Sequence, residues 1–229
     1  MPPETRRVFV GTRAIDVEVH RPSGDGPWPG VVLLHELFGL TANVRADAAD
    51  LASHGYLTWA PDLYTDGAFT KYCIRTFFTP GGLLNRDTPE LREVGAILDA
   101  LKDDPDCNRR LGMIGMCMTG GFVLHMATRD DLAAPIVYHH GQGVTGAGID
   151  RAVGDAIKGP VQGHFATDDK ICLPRKVKAL ETMLGDRLES HWHDGVGHGL
   201  RSRFRYTPAG REAWQATLGF LDRQLRAVG

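Results

Sequence analysis

The spacing of apolar residues changes period along the chain, and each change marks an element. Residues 7–10 and 14–20 read as two early strands with Gly11 near the turn, and Ile15, Val17 and Val19 alternate onto one buried face. Residues 30–35, GVVLLH, form an unbroken apolar run, as a strand buried on both faces requires. Thr41 can cap a helix that runs through residue 53, with Ala46, Ala49 and Leu51 among its inward positions and Gly55 past its end. Residues 56–60 return to strand, and a loop begins at Pro61. The segment 64–87 has no regular period and is rich in Thr, Phe and Gly; so long a loop in a compact domain is more often functional than decorative. Thr88-Pro89-Glu90 opens a second helix to about residue 101, with Pro at its first position. A strand at 111–116, a helix at 120–128, strands at 135–139 and 160–165, a helix at 174–184, a strand-like stretch at 187–193 and a closing helix at 208–226 complete the pattern. This alternation predicts an α/β fold, a mainly parallel central sheet with helices on both faces. No repeat, low-complexity tract or Pro/Ser-rich linker divides it, so residues 1–229 read as one domain.

Charge narrows the partners. Lys and Arg total 26 against 28 Asp and Glu, and no long basic run is present. Nucleic acid and anionic membranes are therefore not expected, and no apolar stretch is long enough to span a bilayer. The first residues, MPPETRRVFV, lack the apolar core of a secretion signal. The four cysteines, Cys73, Cys107, Cys117 and Cys172, show no CxxC spacing and read as free thiols in a reducing cytoplasm. A small-molecule substrate is the expected partner. Neither a monomer nor a homo-oligomer is favoured.

The chemistry concentrates at residues 111–127, LGMIGMCMTGGFVLHMA. An apolar strand runs into Gly115-Met116-Cys117-Met118-Thr119-Gly120-Gly121, and a helical pattern starts at once. Such a turn lifts one side chain to its tip and needs small residues around it. Gly115 meets that need; Thr119 departs from it, since Gly is usual there. The following helix would aim its free N–H groups at Cys117, favouring thiolate and stabilising an oxyanion. A lone cysteine here is as readily a structural core thiol.

Downstream residues decide between these readings. Gly163-His164-Phe165-Ala166-Thr167-Asp168-Asp169-Lys170 leaves a strand end with two carboxylates, and Asp194-Gly195-Val196-Gly197-His198-Gly199 presents an imidazole between small residues. Each alone reads as a turn carboxylate or a surface histidine among the ten in the chain. Acid and then base, both after the nucleophile and at later strand ends, is the order a triad on this scaffold needs. His198 would then take the thiol proton or stand as imidazolium beside the thiolate. Asp169 would fix its tautomer. The N–H groups of Met118 and of Leu37, in the loop after 30–35, would form the oxyanion hole.

These segments, LLHELFGLTANVRADAADLASHGYLTWAPDLY, GMIGMCMTGG, GHFATDDK and GVGHG, together resemble the dienelactone hydrolase family over most of the chain. The resemblance implies an α/β-hydrolase fold and a hydrolase of small lactones or esters, of the dienelactone or carboxymethylenebutenolide type, acting through a Cys–His–Asp triad and a thioacyl intermediate. It implies no metal and no cofactor. By residue, Cys117 matches the nucleophile, His198 the base, and Asp169, rather than Asp168, the acid. Glu36 matches the family's active-site glutamate, which holds the resting thiol. Arg201 and Arg203 (with Arg205 nearby) stand for the arginines that bind a substrate carboxylate. Tyr138 matches an aromatic that the family often follows with Gly and joins them as a substrate-binding candidate; His139 and His140 depart from that pattern.

Competing readings are a general carboxylesterase or thioesterase of the same fold, an inactive member, and a metal-dependent hydrolase built on His191, His193, Asp194 and His198. The spacing of that last set fails the His-x-His-x-Asp-His pattern.

Overall fold

The computed structural model describes residues 3–67, 87–140 and 147–226. Among them, eight strands make one sheet: β1 (Glu4–Val10), β2 (Arg13–His20), β3 (Trp28–Leu33), β4 (Leu57–Pro61), β5 (Cys107–Met116), β6 (Leu132–Tyr138), β7 (Val161–Ala166) and β8 (Leu188–His193). Their order is β1-β2-β4-β3-β5-β6-β7-β8. The first two pairings are antiparallel; from β4 to β8 every pairing is parallel. The helices are α1 (Ala42–Ser53), α2 (Pro89–Lys102), α3 (Gly120–Met126), α4 (Arg151–Ala156), α5 (Pro174–Leu184) and α6 (Pro208–Leu225). None of them is long and apolar enough to cross a membrane.

The unbroken apolar runs are explained by two cores, one on each face of the sheet. In β3 and just beyond it, Val31 and Leu33 join a core with α1 and α6, whereas Val32 and Leu34 join the opposite core with α2, α3 and α5. In β5, Met113 faces the α2 side and Ile114 and Met116 the α6 side. This is the period-2 alternation of a strand with both faces buried.

Helix starts follow the capping residues. Thr41 accepts from Val44 N–H at 3.4 Å, Thr88 from Leu91 N–H at 3.2 Å and Thr207 from Gly210 N–H at 3.2 Å. The sequence reading misses α4, a six-residue helix capped by Asp150. It is too short to show a helical period. β5 also begins four residues before the expected 111, because Asn108, Arg109 and Arg110 are exposed and carry no apolar signal. Of the irregular segment at 64–87, residues 68–86, including Cys73, lie outside the described residues. The other three cysteines are free thiols.

The parallel strands all point their carboxyl ends the same way. The loops that leave β3, β5, β6, β7 and β8 therefore meet on one edge of the sheet, where ligands of open α/β sheets bind.

Candidate active site

Cys117 stands in the turn between β5 and α3 with φ 56°, left-handed backbone that a side chain seldom adopts. Close packing enforces the turn. A Cβ on Gly115 would lie 2.5 Å from the Thr119 carbonyl oxygen, and one on Gly120 would lie 2.1 Å from that of His139. Thr119, the unexpected residue, has a specific function here. Its hydroxyl accepts from Met116 N–H at 2.9 Å and lies 3.1 Å from the carbonyl oxygens of His35 and Met116, to one of which it donates. It links the end of β5 to the loop after β3, which Gly would leave untied.

That loop is pinned by its carbonyls. His35 Nε2 accepts from Leu63 N–H at 3.1 Å, so its proton sits on Nδ1 and is donated to the Glu36 carbonyl at 2.7 Å. In a trans peptide the following N–H points the opposite way. Leu37 N–H is thus turned away from His35 and finds no acceptor among the described residues. Tyr64 Oη–H holds the Leu37 carbonyl at 2.9 Å. Exposed Phe38, beside Leu37, and exposed Ile171, beside the Asp169 loop, give this edge apolar surface.

Asp169 is buried after β7, with Oδ1 accepting from Ile171 N–H at 2.7 Å and Cys172 N–H at 2.8 Å. Its Oδ2 lies 2.8 Å from His198 Nδ1. Burial would raise the Asp169 pKa, but the contacts with His139 and then His198 outweigh it and hold the carboxyl well below the usual carboxylate range. Asp168, by contrast, is exposed. Burial would lower the His198 pKa, but the Asp169 hydrogen bond and then the Cys117 sulfur push it up to about 10. The structure thus brings Cys117, His198 and Asp169 together in the expected order, from the ends of β5, β8 and β7.

Other expected site residues sit differently. Glu36 is buried, and burial raises its pKa, yet its hydrogen-bond partner is Ser202 Oγ at 3.3 Å rather than the Cys117 thiol. Arg201 does not face a substrate. It is buried in a bidentate pair with Asp47, donates to the Gly210 carbonyl at 3.0 Å and lies over the Trp214 ring. Arg205 pairs with the same Asp47. Tyr138 is likewise corrected. It faces the α6 core, where its hydroxyl meets the Ala213 carbonyl at 3.0 Å and Thr217 Oγ1 at 2.6 Å. Both misplacements have one cause: the period-2 face of β6 and the pairing with α1 are set by packing that a local motif does not display. Arg203 is exposed, over the Phe204 ring.

The residues of the metal reading do not converge. His191 Nε2 lies 2.8 Å from Glu189 Oε1, His193 Nε2 lies 3.2 Å from His164 Nδ1, and Asp194 is exposed. Among the described residues His139, Asp169 and His198 bring ligand atoms within 4.8 Å of one another. His198 Nδ1 is hydrogen-bonded to Asp169 Oδ2 at 2.8 Å, and His139 Nδ1 lies 3.0 Å from the same oxygen.

Two groups were not anticipated. His139, with φ 58°, places Nδ1 3.0 Å from Asp169 Oδ2; its departure from the Tyr-Gly pattern was the available signal. Lys176, in the first turn of α5, is buried within electrostatic reach of Cys172, Asp169 and Cys117, and burial lowers its pKa. Nothing in its sequence context marked it.

Comparison with known proteins identifies the family of the chain. The chain is 26% identical over 226 residues to a carboxymethylenebutenolidase of Rhodococcus opacus, covering 90% of this chain and 86% of that one. It is 24% identical over 194 residues to the carboxymethylenebutenolidase of Pseudomonas putida, covering 75% of each. Its fold matches that of a dienelactone hydrolase-like promiscuous phosphotriesterase from metagenomic libraries, with TM-score 0.80 and 21% identity, over 98% of this chain and 99% of that one. The model of the dienelactone hydrolase family matches residues 15–225, and the chain belongs to that family of ester-bond hydrolases with an α/β-hydrolase fold.

Proposed function

We propose that the protein hydrolyses small lactones or esters of the dienelactone type through a thioacyl-enzyme intermediate, with Cys117 as nucleophile, His198 as acid and base, and Asp169 as the group that orients His198. The observation that carries this reading is the half-buried Cys117 sulfur at a left-handed turn, beside an imidazole whose Nδ1 is held 2.8 Å from a buried carboxylate.

The steps follow from those positions. The Cys117 thiolate attacks the acyl carbon, forming a C–S bond. Met118 N–H and Leu37 N–H stabilise the oxyanion. The C–O bond breaks, and the His198 imidazolium gives its proton to the leaving oxygen, which in a lactone stays tethered to the acyl group. Neutral His198 then takes a proton from water, whose oxygen attacks the thioester. The C–S bond breaks, and acid and thiolate are regenerated. Glu36, protonated more readily than a surface carboxylate, limits the repulsion that a second anion would impose on the thiolate.

Cys117→Ala is expected to abolish hydrolysis of enol-lactones and p-nitrophenyl esters, by at least ~10³-fold, with an unchanged circular dichroism spectrum. Mass spectrometry of a slow substrate should show the acyl group on Cys117. Hydrolysis that survives the substitution, or that a chelator removes, would overturn this mechanism. A broader carboxylesterase or thioesterase reading is favoured by the engagement of Arg201 with Asp47, which removes one expected carboxylate binder. Comparable kcat/KM for neutral esters and carboxylate-bearing lactones would decide for it.

A further inference from the structure

Asp169 Oδ2 faces a second imidazole besides His198. His139 Nε2 faces the backbone N–H groups of Gly199 at 3.3 Å and Leu200 at 3.4 Å, and so acts as an acceptor. A neutral imidazole that accepts at Nε2 carries its proton on Nδ1. Nδ1 lies 3.0 Å from Asp169 Oδ2, in contact with the carboxylate but off the line of a well-aligned hydrogen bond, and it has no other partner among the described residues. Burial lowers the His139 pKa and keeps the ring neutral. The ring also covers that of His198, with centroids 4.6 Å apart. His139 itself is buried, in left-handed backbone where Gly would be cheaper.

We propose that His139 is a positioning residue of the hydrolytic site: it shares the Asp169 carboxylate with His198 and ties the loop carrying His198 to the end of β6, so that Asp169 holds the base less strongly than a carboxylate with one imidazole would. This inference rests on the triad reading above.

A second imidazole N–H held against the same oxygen draws on its charge even off-axis. With His139 present, the pull of Asp169 on His198 is reduced, and the covering ring disfavours the imidazolium by excluding water. Both effects ease proton loss from His198 in the thioacyl intermediate, where no thiolate opposes it. That matters for deacylation, because only neutral His198 can take a proton from water. The titratable groups coupled to the two rings, or to Asp169 between them, are Cys117, Glu36, His193, His164, His140, Cys172 and Lys176.

The test is the pH profile of kcat for an ester whose deacylation is rate-limiting, in wild type, His139→Gly and His139→Asn. Gly suits the backbone and removes the donor. Asn also tolerates left-handed backbone and presents an amide N–H where Nδ1 stood. His139→Gly is expected to move the acid limb up by about one pH unit, a loss of about tenfold on that limb, and His139→Asn to restore most of it. A merely structural role would lower kcat at every pH without moving the limb, and that result overturns the proposal, as does an Asn variant that shifts as far as Gly. Nitrogen NMR of the wild type tests it even if the Gly variant does not fold. His139 should be the neutral Nδ1–H tautomer from pH 7 to 9, and a charged ring or an Nε2–H tautomer there overturns the assignment. Wild-type-like hydrolysis by Cys117→Ala would overturn the triad reading, and the NMR result would still decide whether His139 shares Asp169.

Discussion

Thr119 shows how one side chain can satisfy a site that normally asks for none. Its hydroxyl gives the buried Met116 N–H an acceptor and lies 3.1 Å from the His35 carbonyl, beside the turn that carries Cys117. Thr119→Val keeps the shape and deletes the bonds. It should cost about 2 kcal/mol, the penalty of a buried donor left without an acceptor, and lower kcat more than it raises KM; denaturant midpoints and steady-state kinetics check both. Arg201 makes the opposite point, because a residue read as a substrate binder is a structural cation. Arg201→Met leaves Asp47 buried against Arg205 alone and should destabilise by about 3 kcal/mol. That corresponds to a Tm drop of roughly 10 °C in differential scanning calorimetry, with KM for a carboxylate-bearing lactone within about twofold of wild type. Legibility at this scale follows locality. Cys117, Asp169 and His198 sit in short segments whose small neighbours and strand-end positions are visible in the chain itself. The Asp47–Arg201 pair joins residues of α1 and the loop before α6, and the contact of His139 with Asp169 joins two strand ends, so no local pattern announces either.

The elements were legible where a period was long enough to count. β2, β3, α1, α2, α5 and α6 fall close to where the apolar spacing puts them, and Thr caps mark three of the helix starts. α4 was missed for its length, and the start of β5 because polar exposed residues carry it. The junction of β5 and α3 is the most constrained element boundary, since α3 begins directly against the backbone at the end of β6. Gly120→Ala would drive a methyl group to 2.1 Å from the His139 carbonyl oxygen. The backbone must move, at a cost of about 3 kcal/mol. Because the displaced carbonyl belongs to His139, activity should fall further than the Tm shift accounts for, as a comparison of kcat at matched folded fractions would reveal.

For the molecule as a whole, the His198–Asp169 pair couples stability to pH. His198, pushed up to about 10, lies above the ~6.5 of an unfolded chain. Its protonated form therefore adds stability that is complete below about pH 6.5 and is lost as pH rises toward about 10. Asp169, held below its usual range, adds stability that is present above about pH 4 and is lost as the solution becomes more acidic. Urea midpoints measured from pH 4 to 10 should fall across the alkaline half, and His198→Asn should flatten that fall. The position of β8 has a different consequence. It is the last strand of the sheet, paired along one side with β7, and His198 follows a few residues beyond its end. Outer strands are where sheets fray first. Warming would then withdraw the imidazole while the inner strands hold, leaving molecules that still have native secondary structure but have gone dormant. Heat inactivation would run ahead of melting, and reversibly so, because the frayed edge re-pairs with a single strand, β7, and regains the contacts of Trp192 with Glu181 and of Glu189 with Arg223.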